Sequence, residues 1–489
     1  MIRISLLAGA CLLLGTATVS WAQSVPGTAP LPGDDFVLRG SGDLTDADLQ
    51  DAEIEDRDPL TDLSETDVDA LDDDDDDGLR LRNTVLDEQL RLSRPSVLRA
   101  PVVRRPAPKV RAEPYDALGI KLGTFILRPS VDISVGYSDN VEESAGGAAG
   151  SVVTIEPDIV LESNWSRHSL VATLSGEYET FPDTDEEDDP SLDASLRGRV
   201  DVSGTLQVET ELTYALDRTG TSDADVDSDA ESGPLVHTFG GDVAVSKQFN
   251  RLTLRAGGGV ERQIFGSTTL SDGSDGSNDD QNSTTITGSL RATYELSPAF
   301  SPFAELVVER ELFDENVDDG GFNRDETAIV ARVGTAYDLR GTLSGEASIG
   351  FIHARLDDDS LDDINGVSVN GSLIWEPTAL TTITADIGTS VESTTLADSS
   401  GSLVYTAGLS VAHSLTEQWG LEGEVDVAHS HFMGIDRDET TITGNASVVY
   451  RINRAMSALA RFSHERFISS VDGEDFTANS IVFGLRLQQ

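Results

Sequence analysis

From Ser130 onward, apolar and polar residues alternate one by one in segment after segment, and a side-chain period of two is the period of a β-strand. Val131, Ile133 and Val135 alternate with Asp132 and Ser134. Leu170, Ala172, Leu174 and Tyr178 stand against Thr173, Ser175, Glu177 and Glu179. Each such segment has one apolar and one wet face, and no convincing helical pattern follows any of them. A sheet of this kind needs lipid on one side, water on the other, and no open edge. The pattern therefore predicts an all-β fold, a transmembrane antiparallel up-and-down β-barrel of about 18 strands.

The connections alternate too. Tight turns are expected near Trp165, Gly204, Asn250, Pro298, Gly341, Pro377, Glu417 and Arg454. Longer loops, many of them acidic, fall midway between. Short turns facing the periplasm and long loops facing outward are the habit of outer-membrane barrels. A propeller would also repeat regularly, but each blade needs four short strands, and only two long ones fit one repeat here.

Where alternation is clean, faces can be assigned. Leu206, Val208, Leu212, Tyr214 and Leu216 should face lipid, with Glu209 and Glu211 in the lumen. Leu252 and Leu254 should face lipid opposite Arg251 and Arg255. Ile383, Ala385, Ile387 and Val391 should do so opposite Asp386, and Leu421, Val425 and Val427 opposite Glu422, Glu424 and Asp426. A lipid-facing Arg or Lys near the midplane costs about 2–4 kcal/mol, which gives these assignments energetic force. Arg310 shares parity with Leu306 and Val308 and so belongs at an interface. Trp165, Trp375 and Trp419, each close to a tight turn, suit an interfacial aromatic girdle.

Residues 1–22 have the form of a secretory signal: Arg3, an apolar run from Ile4 to Leu14, and Ser20-Trp21-Ala22 as the cleavage site. A lipoprotein signal ending at Cys11 is the rival reading. Cleavage after Ala22 leaves no cysteine, hence no disulfide or thiolate metal site. Residues 23–118 form a leader expected to be disordered: 20 acids lie between Asp34 and Asp77, followed by a basic, proline-rich stretch around Arg104-Arg105-Pro106. It reads as a periplasmic linker, with contact to anionic cell-wall polymer or insertion into the lumen as alternatives. The barrel is assigned to 119–489. The formal charge of −53 argues against nucleic acid as a partner.

Chemistry-bearing motifs are few. Asp183, Asp185, Asp272 and Asp275 sit in Gly- and Ser-bearing acidic loops of the kind that suit calcium or magnesium, with a solvated, self-repelling loop as the default. His429 and His431 share a strand face without a third ligand. Gly257-Gly258-Gly259 is followed by no helix and so is no phosphate loop; it marks a tight spot in the wall. No nucleophile elbow and no cofactor motif is present, so an enzyme is not expected.

The stretches FILRPSVDISVGYSDNV (Phe125 to Val141), VTIEPDIVLESNW (Val153 to Trp165) and HSLVATLSGEYETF (His168 to Phe181) carry a resemblance. With Pro129, Gly136, Asp139-Asn140 and Pro157, this order resembles the porin-2-like β-barrel porins of Gram-negative bacteria, a family often called outer membrane β-barrel protein. The resemblance covers roughly 120–489. It implies an outer-membrane porin, with lipid, lipopolysaccharide and the barrel-insertion machinery as partners. It also implies an association with surface polysaccharide export. One departure is the C-terminus, where Phe483 rather than the last residue is aromatic. Two functions follow as expectations. One is a passive channel for small hydrophilic solutes, cation-preferring because of its luminal acids. The other is a non-conducting accessory barrel in surface polysaccharide export or attachment, its loops binding divalent cations or polysaccharide.

Overall fold

The structure is a computed structural model that describes Tyr115 and residues 117–489, except 185, 227–229, 271, 272, 340 and the side chain of Glu231. The expected signal peptide and nearly all of the expected leader lie outside the described residues. The strands are β1 (Phe125–Ser138), β2 (Gly150–Ser163), β3 (Ser169–Thr180), β4 (Asp189–Ser203), β5 (Leu206–Arg218) and β6 (Leu235–Phe249). They continue with β7 (Leu252–Phe265), β8 (Ser283–Tyr294), β9 (Phe300–Phe313), β10 (Glu326–Asp338), β11 (Leu343–Leu356) and β12 (Ile364–Thr378). The last six are β13 (Thr381–Glu392), β14 (Gly401–Ser414), β15 (Trp419–Met433), β16 (Asp438–Asn453), β17 (Met456–Ser469) and β18 (Phe476–Gln488).

Each strand pairs antiparallel with the next, and β1 meets β18 from Ser130↔Gln488 to Ser138↔Ser480, so the 18 strands close on themselves. A short lead-in strand, Ile120–Leu122, folds back on Phe125 to Leu127 and extends the edge that β18 leaves. At the junction the Gln489 N–H donates to the Pro129 carbonyl at 3.2 Å. All eight expected tight turns are found at one end of the barrel. At the turn between β6 and β7, Asn250 takes φ +57°, a left-handed conformation that asparagine tolerates better than most residues.

The faces are inverted relative to a soluble sheet. Along β9, Glu305, Glu309 and Glu311 are buried, whereas Leu306, Val308 and Leu312 stand 36–41% exposed. Water-loving groups crowd the bore, and the aliphatic surface faces outward, as a lipid-embedded barrel requires. Exposed aromatics gather at both ends: Phe249, Tyr294, Phe300, Trp375 and Trp419 by the tight turns, Tyr137, Tyr178, Phe239 and Phe351 toward the loops. Phe125 and Tyr137 lie near opposite ends of β1. At about 3.3 Å per residue and a tilt of about 40°, they are about 30 Å apart along the barrel axis. Within the glycine run of β7, a Cβ on Gly259 would stand 2.1 Å from Asp242 Oδ1, so only glycine lets that carboxylate cross the wall.

One hairpin leaves the cylinder. Pairing between β12 and β13 stops at Gly371↔Ile387. Beyond it the Thr389 hydroxyl, rather than a strand backbone, bonds both the N–H and the carbonyl of Val369, each at 3.0 Å. The far ends of β13 and β14 turn inward, and Val391 and Leu403 pack with Val307, Ala328, Val330, Ile352, Ala354 and Ile364. A Cβ on Gly366 would lie 2.6 Å from Leu403 Cδ2, which places Leu403 on the bore side of β12. This corrects the lipid-facing assignment of Val391. Its parity matches Ile387, but its strand has left the wall, so its apolar face meets the inner wall and it is only 3% exposed.

Candidate functional site: the inner wall and the mouth

Several inner arginines are matched with carboxylates. Arg291 grips Glu346 through both terminal nitrogens (3.1 and 2.5 Å) and stacks 3.5 Å from the Phe303 ring. Glu305 accepts from Arg332 at 2.7 Å and lies 3.9 Å from Arg291. Arg255 meets Glu209 at 3.2 Å, Arg197 meets Glu211 at 2.7 Å, and Arg486 holds Asp132 at 2.7 and 2.5 Å. Arg461 is engaged by Glu156 at 3.5 Å.

A second cluster of acids lies on β13 and β15. Asp386 on β13, Gly408 on β14 and Asp426 on β15 are direct ladder neighbours, and Glu424 lies two residues from Asp426 on the same face. A Cβ on Gly408 would sit 2.7 Å from Asp426 Oδ1 and 3.0 Å from both Asp386 oxygens. The two carboxylates therefore close directly over this glycine, and any side chain there would collide with them. Glu424 is 6% exposed, and neither of its oxygens has a hydrogen-bond partner; Asp426 Oδ2 has none either. Glu422 accepts from the Ser447 hydroxyl at 3.3 Å.

The mouth at the loop end is bridged. Loop 219–234, between β5 and β6, reaches loop 393–400, between β13 and β14, which is almost diametrically opposed in the ring. There Asp225 Oδ1 accepts from the Thr394 hydroxyl, the Thr395 N–H and the Thr395 hydroxyl at 2.8, 2.6 and 2.9 Å. The Asp225 carbonyl also accepts from Gln281 at 3.4 Å. Strands Ala230–Ser232, Thr268–Leu270 and Asp275–Gly276 tie two of the loops into a small sheet. Buried Arg324 donates to the Leu396 and Ser399 carbonyls and pairs with Asp318 at 2.7 Å, anchoring the inturned hairpin from outside. Burial first, then the like charges of Glu142, Glu187 and Asp189, push the Glu186 carboxyl at this rim up to about 7, against the pull of Arg218.

Arg251, expected in the wall, lies instead in the tight turn between β6 and β7 and is exposed. Trp165, Trp375 and Trp419 are exposed near the tight-turn end; Trp165 donates to the Thr124 hydroxyl at 3.1 Å, and Trp419 packs on Tyr450 at 4.7 Å. Arg310 points outward but reaches the loop rim, where Asp357 takes both its terminal nitrogens at 2.9 and 2.6 Å. Arg262 makes the same clasp with Asp314 at 2.6 and 2.5 Å. These bonds hold Asp357 and Asp314 below the usual carboxylate range.

Asp183 accepts from the Ser151 hydroxyl at 2.5 Å, and Asp275 pairs in the small loop sheet with Thr269; Asp185 and Asp272 lie outside the described residues. His429 bonds Thr440, and His431 bonds Asp438. Among the described residues no group of three or more His, Cys, Asp or Glu is arranged to enclose a metal ion. Asp225 and Arg324 were not foreseen, because nothing in their local sequence distinguishes them from the many other charges of acidic loops.

Residues 113–489 match the profile of the family described as "Putative beta-barrel porin 2". Comparison with curated proteins finds no match. Among solved structures, the chain is similar to the "Copper transporter OprC" at 10% identity, over 76% of this chain and 81% of that one, with a TM-score of 0.43. It is also similar to Pseudomonas aeruginosa OccK2 in complex with glucuronate at 13% identity, over 75% and 99%, with a TM-score of 0.38. A third is the siderophore receptor PirA from Pseudomonas aeruginosa, at 10% identity, over 74% and 80%, with a TM-score of 0.34. Only the family match bears on function; likenesses this distant do not.

Proposed function

Because the chain belongs to the "Putative beta-barrel porin 2" family, a non-enzymatic family of outer-membrane barrels, we propose that it is a passive channel for small hydrophilic solutes that prefers cations. The observation that carries this reading is the imbalance on the inner wall. Arg255, Arg291, Arg332 and Arg486 are each engaged by carboxylates, while Glu424 and Asp426, beside Asp386 and Glu422, keep buried oxygens with no hydrogen-bond partner. A bore of this sign concentrates cations and repels anions. In the lipid environment that the family implies, Trp165, Trp375 and Trp419 anchor the tight-turn end in the headgroups.

The test is a planar bilayer with a potassium chloride gradient. The purified barrel should conduct with potassium favoured over chloride. Absence of current, or preference for chloride, overturns the reading.

A second reading is favoured by one observation, the bridging of the mouth through Asp225. It makes the protein a non-conducting accessory in surface polysaccharide export or attachment, with the loops as the working surface. Deleting residues 23–118 separates a plugged bore from an open one. A large rise in conductance would identify the leader as a plug, and an unchanged current would leave the loops as the only constriction.

A further inference from the structure

The ladder between β12 and β13 breaks, but the sequence pattern of the wall does not. Beyond Ile387 the alternation runs on: Thr389 and Val391 keep its face, while Ser390 and Glu392 keep the face of Asp386. On β14, Leu403 and Tyr405 share the face of Leu409, and Ser402 shares that of Gly408. Continued past Gly371↔Ile387, the register would set Val369 opposite Thr389 and Val367 opposite Val391. A cylinder zipped to its rim would then turn Val391, Leu403 and Tyr405 to lipid, and Ser390, Glu392 and Ser402 to water, as a barrel wall requires. Hydroxyls already hold the places of the missing backbone: Thr389 on Val369, and Tyr405 on the Val367 carbonyl at 3.4 Å.

The observed position has a seat of its own. Val307, Ala328, Val330, Ile352, Ala354 and Ile364 form an apolar patch on the bore face of β9 to β12, a face that otherwise carries Glu305, Glu309, Glu326 and Arg332. Such a patch is unfavourable when wetted, and Val391 and Leu403 cover it. Gly366 admits Leu403, since a Cβ there would meet its Cδ2 at 2.6 Å. At the tip, Asp225 holds Thr394 and Thr395 from across the mouth, and Arg324 holds the Leu396 and Ser399 carbonyls. Strand β13 stays laddered to β14, and β14 to β15, along their whole lengths, so the flap is free on one side only. We infer that the far ends of β13 and β14 form a gate with two seats: tucked against the apolar patch with its tip latched by Asp225, or zipped onto β12 to complete the cylinder and widen the mouth. Two discrete packings of one element are what a switch requires. As a control of passage the gate rests on the channel reading; as a pair of seats it does not.

The test is disulfide trapping in the full chain, whose one native cysteine, Cys11, lies in the expected signal. Directly opposite residues of a ladder stand about 4.5–5.5 Å apart at Cα, within reach of a disulfide. Val367→Cys with Val391→Cys can bond only in the zipped seat, because in the tucked one Val367 is 48% exposed on the outer face and Val391 is buried on the bore side. Asp225→Cys with Thr395→Cys bonds only in the tucked seat. Heat-modifiable gel mobility confirms that each variant is folded. Both pairs should close under a mild oxidant. Adding Gly366→Ala, which crowds only the tucked seat, should speed closure of the zipped pair about tenfold, the population shift that overpacking of one state implies. Adding Asp225→Ala should speed it severalfold. A zipped pair that never closes in folded barrels, or that closes at a rate neither substitution changes, overturns the gate.

Planar bilayers then read what the gate controls. The zipped pair should conduct more when oxidised than when reduced, and the tucked pair less. Equal currents from the two locked forms overturn the gate as a control of passage. If trapping succeeds while no form carries current, the two seats stand and the channel reading falls. If the barrel conducts and the zipped pair never closes, the channel stands and the gate falls.

Discussion

Two patches of the same inner wall bury charge to a similar depth and balance it in opposite ways. On β8 to β11, Arg291, Glu305, Arg332 and Glu346 form a continuous network in which each charge meets an opposite one. On β13 to β15, Asp386 and Asp426 close over Gly408, and Glu424 and Asp426 keep oxygens without a hydrogen-bond partner. Charges taken from water are tolerable when matched and costly when not. The first patch therefore reads as wall-building, whereas the second carries a cost that wall-building alone does not explain. The contrast separates structural from functional carboxylates that their sequences, both alternating acid with aliphatic, do not tell apart.

The largest effect that can test this contrast is on stability. Glu305→Ala leaves Arg291 and Arg332 short of a shared partner. It should cost about 3–5 kcal/mol, the usual penalty for orphaning a buried charge. Glu424→Gln changes a carboxylate whose oxygens accept no hydrogen bond and should cost nothing or add stability. Urea unfolding in lipid vesicles, followed by tryptophan fluorescence, measures both, and equal losses would erase the distinction. Next comes selectivity. Asp386→Asn combined with Asp426→Asn should lower the potassium-to-chloride permeability ratio severalfold in bilayers, while Glu346→Gln, in the matched network, should lower it much less.

A smaller effect concerns the mouth. Asp225→Ala removes three hydrogen bonds, each worth about 0.5–1.5 kcal/mol at most in a partly exposed setting. It should raise single-channel conductance and shorten closures without altering ion preference; unchanged conductance would mean the bridge does not restrict passage. The smallest is pH. The Glu186 carboxyl, raised to about 7, is charged above that value and neutral below it. Cation preference should therefore weaken as the pH falls from about 8 to about 6, a range in which ordinary carboxylates stay ionised. Glu186→Gln should shallow that part of the profile without abolishing it, because burial and then the charges of Asp189 and Glu186 raise Glu143 on the neighbouring loop to about 7 as well.

Most of the architecture was legible because a wall one residue thick writes its two environments directly into adjacent positions. Leu206, Val208 and Leu212 against Glu209 and Glu211 leave no other reading of β5. Two placements show where such legibility ends. Val391 keeps the parity of Ile387, but parity says only which residues share a face, not whether the strand still belongs to the cylinder. The signals for its inward turn are Gly366 and Gly401, whose missing side chains make room for Leu403 and Ile364, and glycines in strands have many uses. Arg251 alternates correctly with Leu252 and Leu254, yet the strand begins one residue later, so it falls in the turn while Arg255 reaches the bore. The contacts of Asp225 with Thr394 and Thr395 join segments about 170 residues apart, a relation no local pattern encodes.

The rupture of the ladder above Gly371 and Ile387 gives the cylinder one compliant flank. Between most other neighbours, enlarging the circumference means breaking backbone bonds along nearly a whole strand. Here half of them are already replaced by two side-chain hydroxyls, those of Thr389 and Tyr405. Expansion under load, or under a bulky passenger, should begin along this line. Amide hydrogens of residues 365–369 should accordingly exchange with deuterium sooner than those of any other mid-wall segment.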